Sequence, residues 1–167
     1  MASITDLATL THTDLAVGDW LVVHDLSAAT DKKMAPYLSG TWTPALAFDG
    51  ATTGITYGGA FGIYVVVGKL VLVQGVLVLT SKGSATGNAS VSGLPIASAA
   101  SQSAWLTLAW QNMTSSYVNM IGYVATGVTT ISIRGITAAS TQNVTNVTNA
   151  GFANNTTLYI HGTYTAA

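Results

Sequence analysis

Four titratable residues cluster near the N-terminus: His12, Asp14, His24 and Asp25. Imidazole plus carboxylate is acceptable zinc or iron chemistry. Their spacing matches no metal motif, however, and His24 and Asp25 close an apolar run, Trp20-Leu21-Val22-Val23. They read as polar groups of a surface or interface, and no metal is expected. Ser, His and Asp are all present, but no G-x-S-x-G occurs. That motif belongs to a strand–helix fold of which the sequence shows no pattern. His161 sits in an alternating segment and reads as an ordinary sheet position. A carboxylate pair for glycoside cleavage would have to come wholly from the first 49 residues, because no acid follows Asp49. Lys69, Lys82 and the loop SKGSATGN (81–88) imitate a phosphate cradle but lack the G-K-[ST] order before a helix. No catalytic residue and no cofactor is expected, and the chain reads as a non-enzyme.

What remains is recognition chemistry. The stretch 141–157, TQNVTNVTNAGFANNTT, carries Asn143, Asn146, Asn149, Asn154 and Asn155. Amides and hydroxyls pair well with sugar hydroxyls, so these five are candidates for a distal recognition loop. The plainer alternative is a solvated connection built from Asx-type turns. Trp20, Trp42, Trp105 and Trp110 lie beside apolar residues in strand patterns and read as core or interface residues rather than sugar platforms.

The elements that must position these groups are short strands. Gly18-Asp19 leads into a strand at 20–24, and Ile4, Leu7 and Leu10 permit a helical turn capped by Ser3. Residues 25–33 read as a turn. Thr41–Phe48 places Trp42, Leu46 and Phe48 on one face by the period of two. The run 60–79 is long enough to span a bilayer, but Lys69 and Gln74 interrupt it and Val dominates it. Gly68-Lys69 suits a type II′ turn, so the run reads as a hairpin of strands 61–67 and 70–80. Further strands are expected at 89–92, 104–111, 116–125, 128–134 and 157–163. Many short strands separated by turn signals indicate an all-β antiparallel sandwich, a jelly-roll-like knob.

Strand 70–80 is apolar on both faces: Leu70, Leu72, Val76 and Val78 on one, Val71, Val73, Leu77 and Leu79 on the other. A strand in a simple antiparallel sheet has one polar face. The second cover is either another subunit or a thick sandwich core. Leu70, Leu72, Val76 and Val78 are therefore candidate interface residues.

Composition narrows the partners. The chain has 167 residues, 49% apolar and only 7% charged, with no Glu and no Cys. A typical soluble domain is about 25% charged. Five dispersed cations and a net charge of −1 leave no footprint for nucleic acid. Without Cys there are no disulfides and no thiolate metal sites. Met1 is followed by neither a basic region nor an apolar one, so no secretory leader is expected. All six acids precede residue 50, and only Lys69, Lys82 and Arg134 carry charge after it. The chain thus divides into an attachment segment, 1–39, and a β knob, 40–167. The segment is too small to bury a core alone.

Several stretches resemble a known group. G-x-W-T-P begins at Gly40, T-G-I-T-Y ends at Tyr57, and G-x-Y-x-x-V-G-K runs from Gly62 to Lys69. L-T-S-K-G-S-x-T-G follows from Leu79, and G-L-P from Gly93. Together they resemble a β module of tailed-bacteriophage virion proteins: head decoration proteins, head fibres, tail fibres and receptor-binding proteins. L-x-x-G-D-W-L-V-V-x-D and T-D-K-K, within 15–33, resemble the attachment segment that begins many of them. The resemblance implies a homotrimeric, non-enzymatic protein of the particle surface, made in the host cytoplasm. Neither nucleic acid nor membrane is expected as a partner. Two roles follow. The first is a capsid decoration (cement) protein that stabilises the shell and grips the major capsid protein, or another virion protein, through Trp20, Val22, His24, Asp25, Asp31, Lys32 and Lys33. Leu70, Leu72, Val76 and Val78 would line its trimer. A compact chain without a repetitive shaft favours this role. The alternative is a tail fibre or receptor-binding protein whose distal loops bind a host glycan.

Overall fold

A computed structural model describes residues 21–25, 30–34, 37–138 and 143–167. Trp20, His12, Asp14 and the helical turn near Ser3 lie outside the described residues. The chain divides into two units between Leu38 and Ser39. In the first, β1 (Leu21–Asp25) pairs antiparallel with β2 (Thr30–Met34), Val23 opposite Lys32 and His24 opposite Asp31. Thr30 to Lys33, expected in a turn, are strand residues, because they complete the ladder that the apolar run begins.

The second unit is all-β. Its strands are β3 (Leu38–Trp42), β4 (Ala45–Phe48), β5 (Ile55–Val67), β6 (Leu70–Lys82), β7 (Ala89–Ser92), β8 (Ala104–Met113), β9 (Asn119–Val124), β10 (Thr130–Ile136), β11 (Thr145–Asn146) and β12 (Phe152–Thr165). They form one curled, ten-stranded sheet in the order β3-β5-β6-β12-β8-β9-β10-β7-β4, with β11 added on β10. The pairings are antiparallel.

The period of two decides which side chains meet inside the curl. Leu46 and Phe48, Val71 and Val73, Leu106 and Leu108, Ile131 and Ile133, and Leu158 and Ile160 alternate inward and are buried. Phe48 and Phe152 meet edge to face, ring centroids 5.3 Å apart. The run that imitates a membrane span is the β5–β6 hairpin, and Gly68 at its tip has φ +61°, as a type II′ turn demands. No helix among the described residues is long and apolar enough to cross a membrane.

Three differences from the sequence expectation have local causes. Segment 41–48 is two strands, broken at Thr43-Pro44, where the proline has no N–H for a ladder. β5 begins six residues early, at Ile55, because register shifts around Tyr57 and Gly59 disrupt its alternation. β12 begins at Phe152, since the Asn-rich stretch joins the sheet through a bulge between Phe152 and Thr157.

Candidate functional site

The curl leaves β5, β6, β12, β8, β9 and β10 with an outer face, and cross-strand register aligns its residues. One row runs Ile63, Gln74, His161, Thr107, Ile121, Arg134 and Asn146, each opposite the next. The row beside it carries Phe61, Val76, Tyr159 and Ala109. On the other side, Trp105 lies opposite Tyr123, which lies opposite Ser132.

At β5, β6 and β12 this face holds a groove of about 410 Å³ lined by Phe61, Ile63, Gln74, Val76, Tyr159 and His161. Its floor is the facing pair Gly62 and Gly75, beneath which lies the indole of Trp42. The Trp42 Nε1–H donates to the Gln74 carbonyl oxygen at 3.0 Å, which fixes the indole under the floor. The groove offers two aromatic faces, one amide and one imidazole. That set is suited to stacking and hydrogen bonding; it includes no carboxylate or thiol to drive a bond-breaking step.

The apolar groups of the face extend past the groove. Val67 and Leu70 at the hairpin tip are 59% and 51% exposed, and Leu72 is 37% exposed. Val76 and Val78 are half-buried. All four candidate interface residues therefore lie on the face that residues 39–167 leave uncovered, while Val71, Val73, Leu77 and Leu79 fill the core.

The five asparagines separate. Asn149 stands in a single 3-10 turn (Asn149–Gly151), and its side-chain oxygen accepts from the Gly87 N–H at 3.0 Å. Asn154 accepts from the Lys82 N–H at 3.0 Å. Both amides brace the connections around β6 and β7. Asn155 lies in the β12 bulge and Asn146 in β11, and with Asn143 they are exposed. From Thr145 onward the stretch runs along the sheet margin, through β11, the 3-10 turn and the start of β12. Val22, His24, Asp25, Asp31, Lys32 and Lys33 fall on β1 and β2. Among the described residues no three His, Cys, Asp or Glu converge as metal ligands.

The tryptophans also separate. Trp42 is buried and Trp110 packs against the core, but Trp105 is 51% exposed. Its ring centroid is 4.7 Å from that of Tyr123, and the Arg134 guanidinium lies 4.4 Å from the Tyr123 centroid and 5.6 Å from the Trp105 ring. Sequence reading treated the four tryptophans alike. The available signal was that Trp105 alternates with Leu106, on the side of Thr107 and Ala109.

The architecture defines a class: a nearly uncharged β module with one side-chain face inside and a largely apolar, aromatic face outside. No protein-family model matches the chain, and no curated protein matches it. Among solved structures it is similar to the Dettilon tailspike protein (gp208), with a TM-score of 0.65 and 15% identity over 78% of this chain. The match spans 24% of the tailspike's own length. The fold is therefore one that also occurs as part of a phage tailspike.

Proposed function

We propose that the chain is a non-enzymatic phage virion module of the tail fibre or receptor-binding class, working as a homotrimer that recognises a host-surface glycan. The observation that carries the reading is the fold shared with part of a tailspike over 78% of the chain. The resemblance within residues 15–95 supports a phage virion module independently and is shared by the head and tail roles alike. The capsid decoration role, put first on compactness, finds no support in that likeness, and the tail role takes precedence.

In this reading the outer face of β5 and β6 meets neighbouring copies at Val67, Leu70 and Leu72. An apolar face of this kind marks an interaction surface on a soluble protein. Residues 1–39 attach to another virion protein, and exposed amides with aromatic faces meet the glycan. The protein sits on the particle surface after synthesis in the host cytoplasm.

The test mixes purified chain with a panel of bacterial cells, with their extracted surface polysaccharides and with undecorated capsids. Binding to cells and polysaccharide, without loss of polysaccharide chain length, is the expected result. Binding to capsids alone would restore the decoration role. Release of oligosaccharide products would overturn the non-enzymatic reading.

A further inference from the structure

Arg134 is one of three charged side chains after residue 50. Lys82 has a use, since its Nζ donates to the Asn149 carbonyl oxygen at 3.1 Å. Arg134 has no hydrogen-bonding role among the described residues: its Nε is buried there without a partner. The nearest acid in sequence, Asp49, is committed elsewhere, accepting from the Asn88 N–H at 3.0 Å. Buried donors are almost always satisfied, and an unsatisfied one calls for an explanation. A guanidinium has five N–H donors in a planar fork shaped for a carboxylate or phosphate.

The fork is also held in place. Arg134 sits opposite Ile121, and Tyr123 is its diagonal neighbour two residues along β9. Diagonal neighbours lie within reach of long and aromatic side chains. The guanidinium lies over Tyr123 and beside Trp105, a cation–π arrangement that orients the fork without consuming its donors. Around it stand neutral groups: Ser132 beyond Tyr123, and the exposed Asn146 opposite Arg134 itself.

We propose that Trp105, Tyr123 and Arg134 form a subsite for a carboxylate-bearing sugar residue. The inference rests on the glycan-recognition reading above and names the chemistry it selects. The C–H face of a pyranose packs against the exposed indole. Its carboxylate meets the terminal N–H groups of the Arg134 guanidinium, since Nε is closed to solvent, and Asn146 is placed to reach a ring hydroxyl. A phosphate would satisfy the fork, but not the exposed indole beside it. A neutral sugar would use the indole and leave the cation unpaired.

The experiment immobilises oligosaccharides ending in glucuronate, galacturonate or N-acetylneuraminate beside their carboxyl-reduced, neutral counterparts. The full chain is titrated against each, and Trp fluorescence is followed in solution. At least one acidic probe should bind about tenfold or more tightly than its reduced form, the size expected of a charge-assisted hydrogen-bonded pair. Arg134→Gln should erase that preference while thermal unfolding shows that the chain still folds, with a loss no larger than that of a cation–π contact. Arg134→Lys, which keeps the charge and loses the fork, should restore it only in part. Trp105→Ala should weaken acidic and neutral probes alike. Equal binding of acidic and reduced probes overturns the subsite, as does an unchanged preference in Arg134→Gln while cell binding persists. Failure of the wild-type chain to bind any cell or polysaccharide overturns the glycan reading itself.

Discussion

Gly62 and Gly75 face each other across β5 and β6, and the Trp42 indole fills the space their missing side chains leave. A Cβ on Gly75 would lie 2.8 Å from Trp42 Cζ2, and one on Gly62 would collide with the indole nitrogen edge. Neither neighbour is a flexible tip, because Trp42 is buried and its Nε1 is tied to the Gln74 carbonyl. Gly62→Ala should therefore destabilise the fold by about 1–3 kcal/mol, as overpacking does. Gly59→Ala, with no atom within 4 Å of the added Cβ, should stay within about 0.5 kcal/mol of wild type. Thermal unfolding of the two variants side by side decides it, and equal midpoints would refute the role given to Trp42. A second residue-scale case is Ser98, fully buried, whose hydroxyl donates to the Ala125 carbonyl at 2.5 Å and accepts from the Val128 N–H at 3.2 Å. Ser98→Ala should cost about 1–3 kcal/mol by leaving both backbone groups unpaired; a urea titration measures it. These roles were only partly legible in the sequence. Alternation put Trp42 inward, but nothing in the chain order announces that two glycines 13 positions apart receive it.

The β5–β6 hairpin is the element the sequence describes best. Gly68-Lys69 marks its tip, and the two-sided apolar pattern of β6 identifies a second face in want of a cover. Its beginning was illegible because the irregular register near Gly58 and Gly59 interrupts the period that strand reading depends on. The start of β12 was hidden differently: Asn and Thr signal turns when their side chains bond locally, whereas here Asn154 bonds to a distant strand, at Lys82. The uncovered face gives an element-scale prediction. Leu72 is 37% exposed, so Leu72→Glu should leave the fold intact while placing a carboxylate in the proposed interface between copies. Light scattering should then report a fall from about three times the chain mass to the 17.1 kDa of one chain. Val73→Glu, one residue away and fully buried, should instead unfold the chain, because an unpaired charge in a core is costly. A wild-type chain that scatters as a monomer at micromolar concentration would remove the trimer from the proposal.

At the scale of the whole molecule, a sheet that curls must bring its two ends together, and exposed ends invite pairing with other chains. β4 is the last strand at one end of the path, and β5 is second from the other. Tyr57 of β5 joins them. Its hydroxyl oxygen accepts from the Leu46 N–H at 2.8 Å, and its O–H donates to the Leu46 carbonyl at 3.3 Å. Tyr164 of β12 makes a similar tie, donating to the Ile96 carbonyl at 2.7 Å. Burial is the main cause that raises both phenols above their ordinary value of 10.0. In this nearly uncharged unit such neutral hydroxyls do the work that ion pairs do elsewhere. The folded chain holds these two protons to higher pH than the unfolded chain, whose phenols titrate near 10. Their contribution is therefore complete below pH 10 and declines as pH rises through the raised folded values. Stability should accordingly be level in this respect through neutral pH and fall on the alkaline side. Tyr57→Phe should cost about 1–3 kcal/mol at pH 7, since it strands the Leu46 N–H and carbonyl at the edge of β4. It should also flatten the alkaline fall. Unfolding midpoints of both proteins measured from pH 7 to 11 test this: equal midpoints at pH 7 would show that the tie at Leu46 does not close the curl, and parallel alkaline slopes would show that burial does not hold the Tyr57 proton.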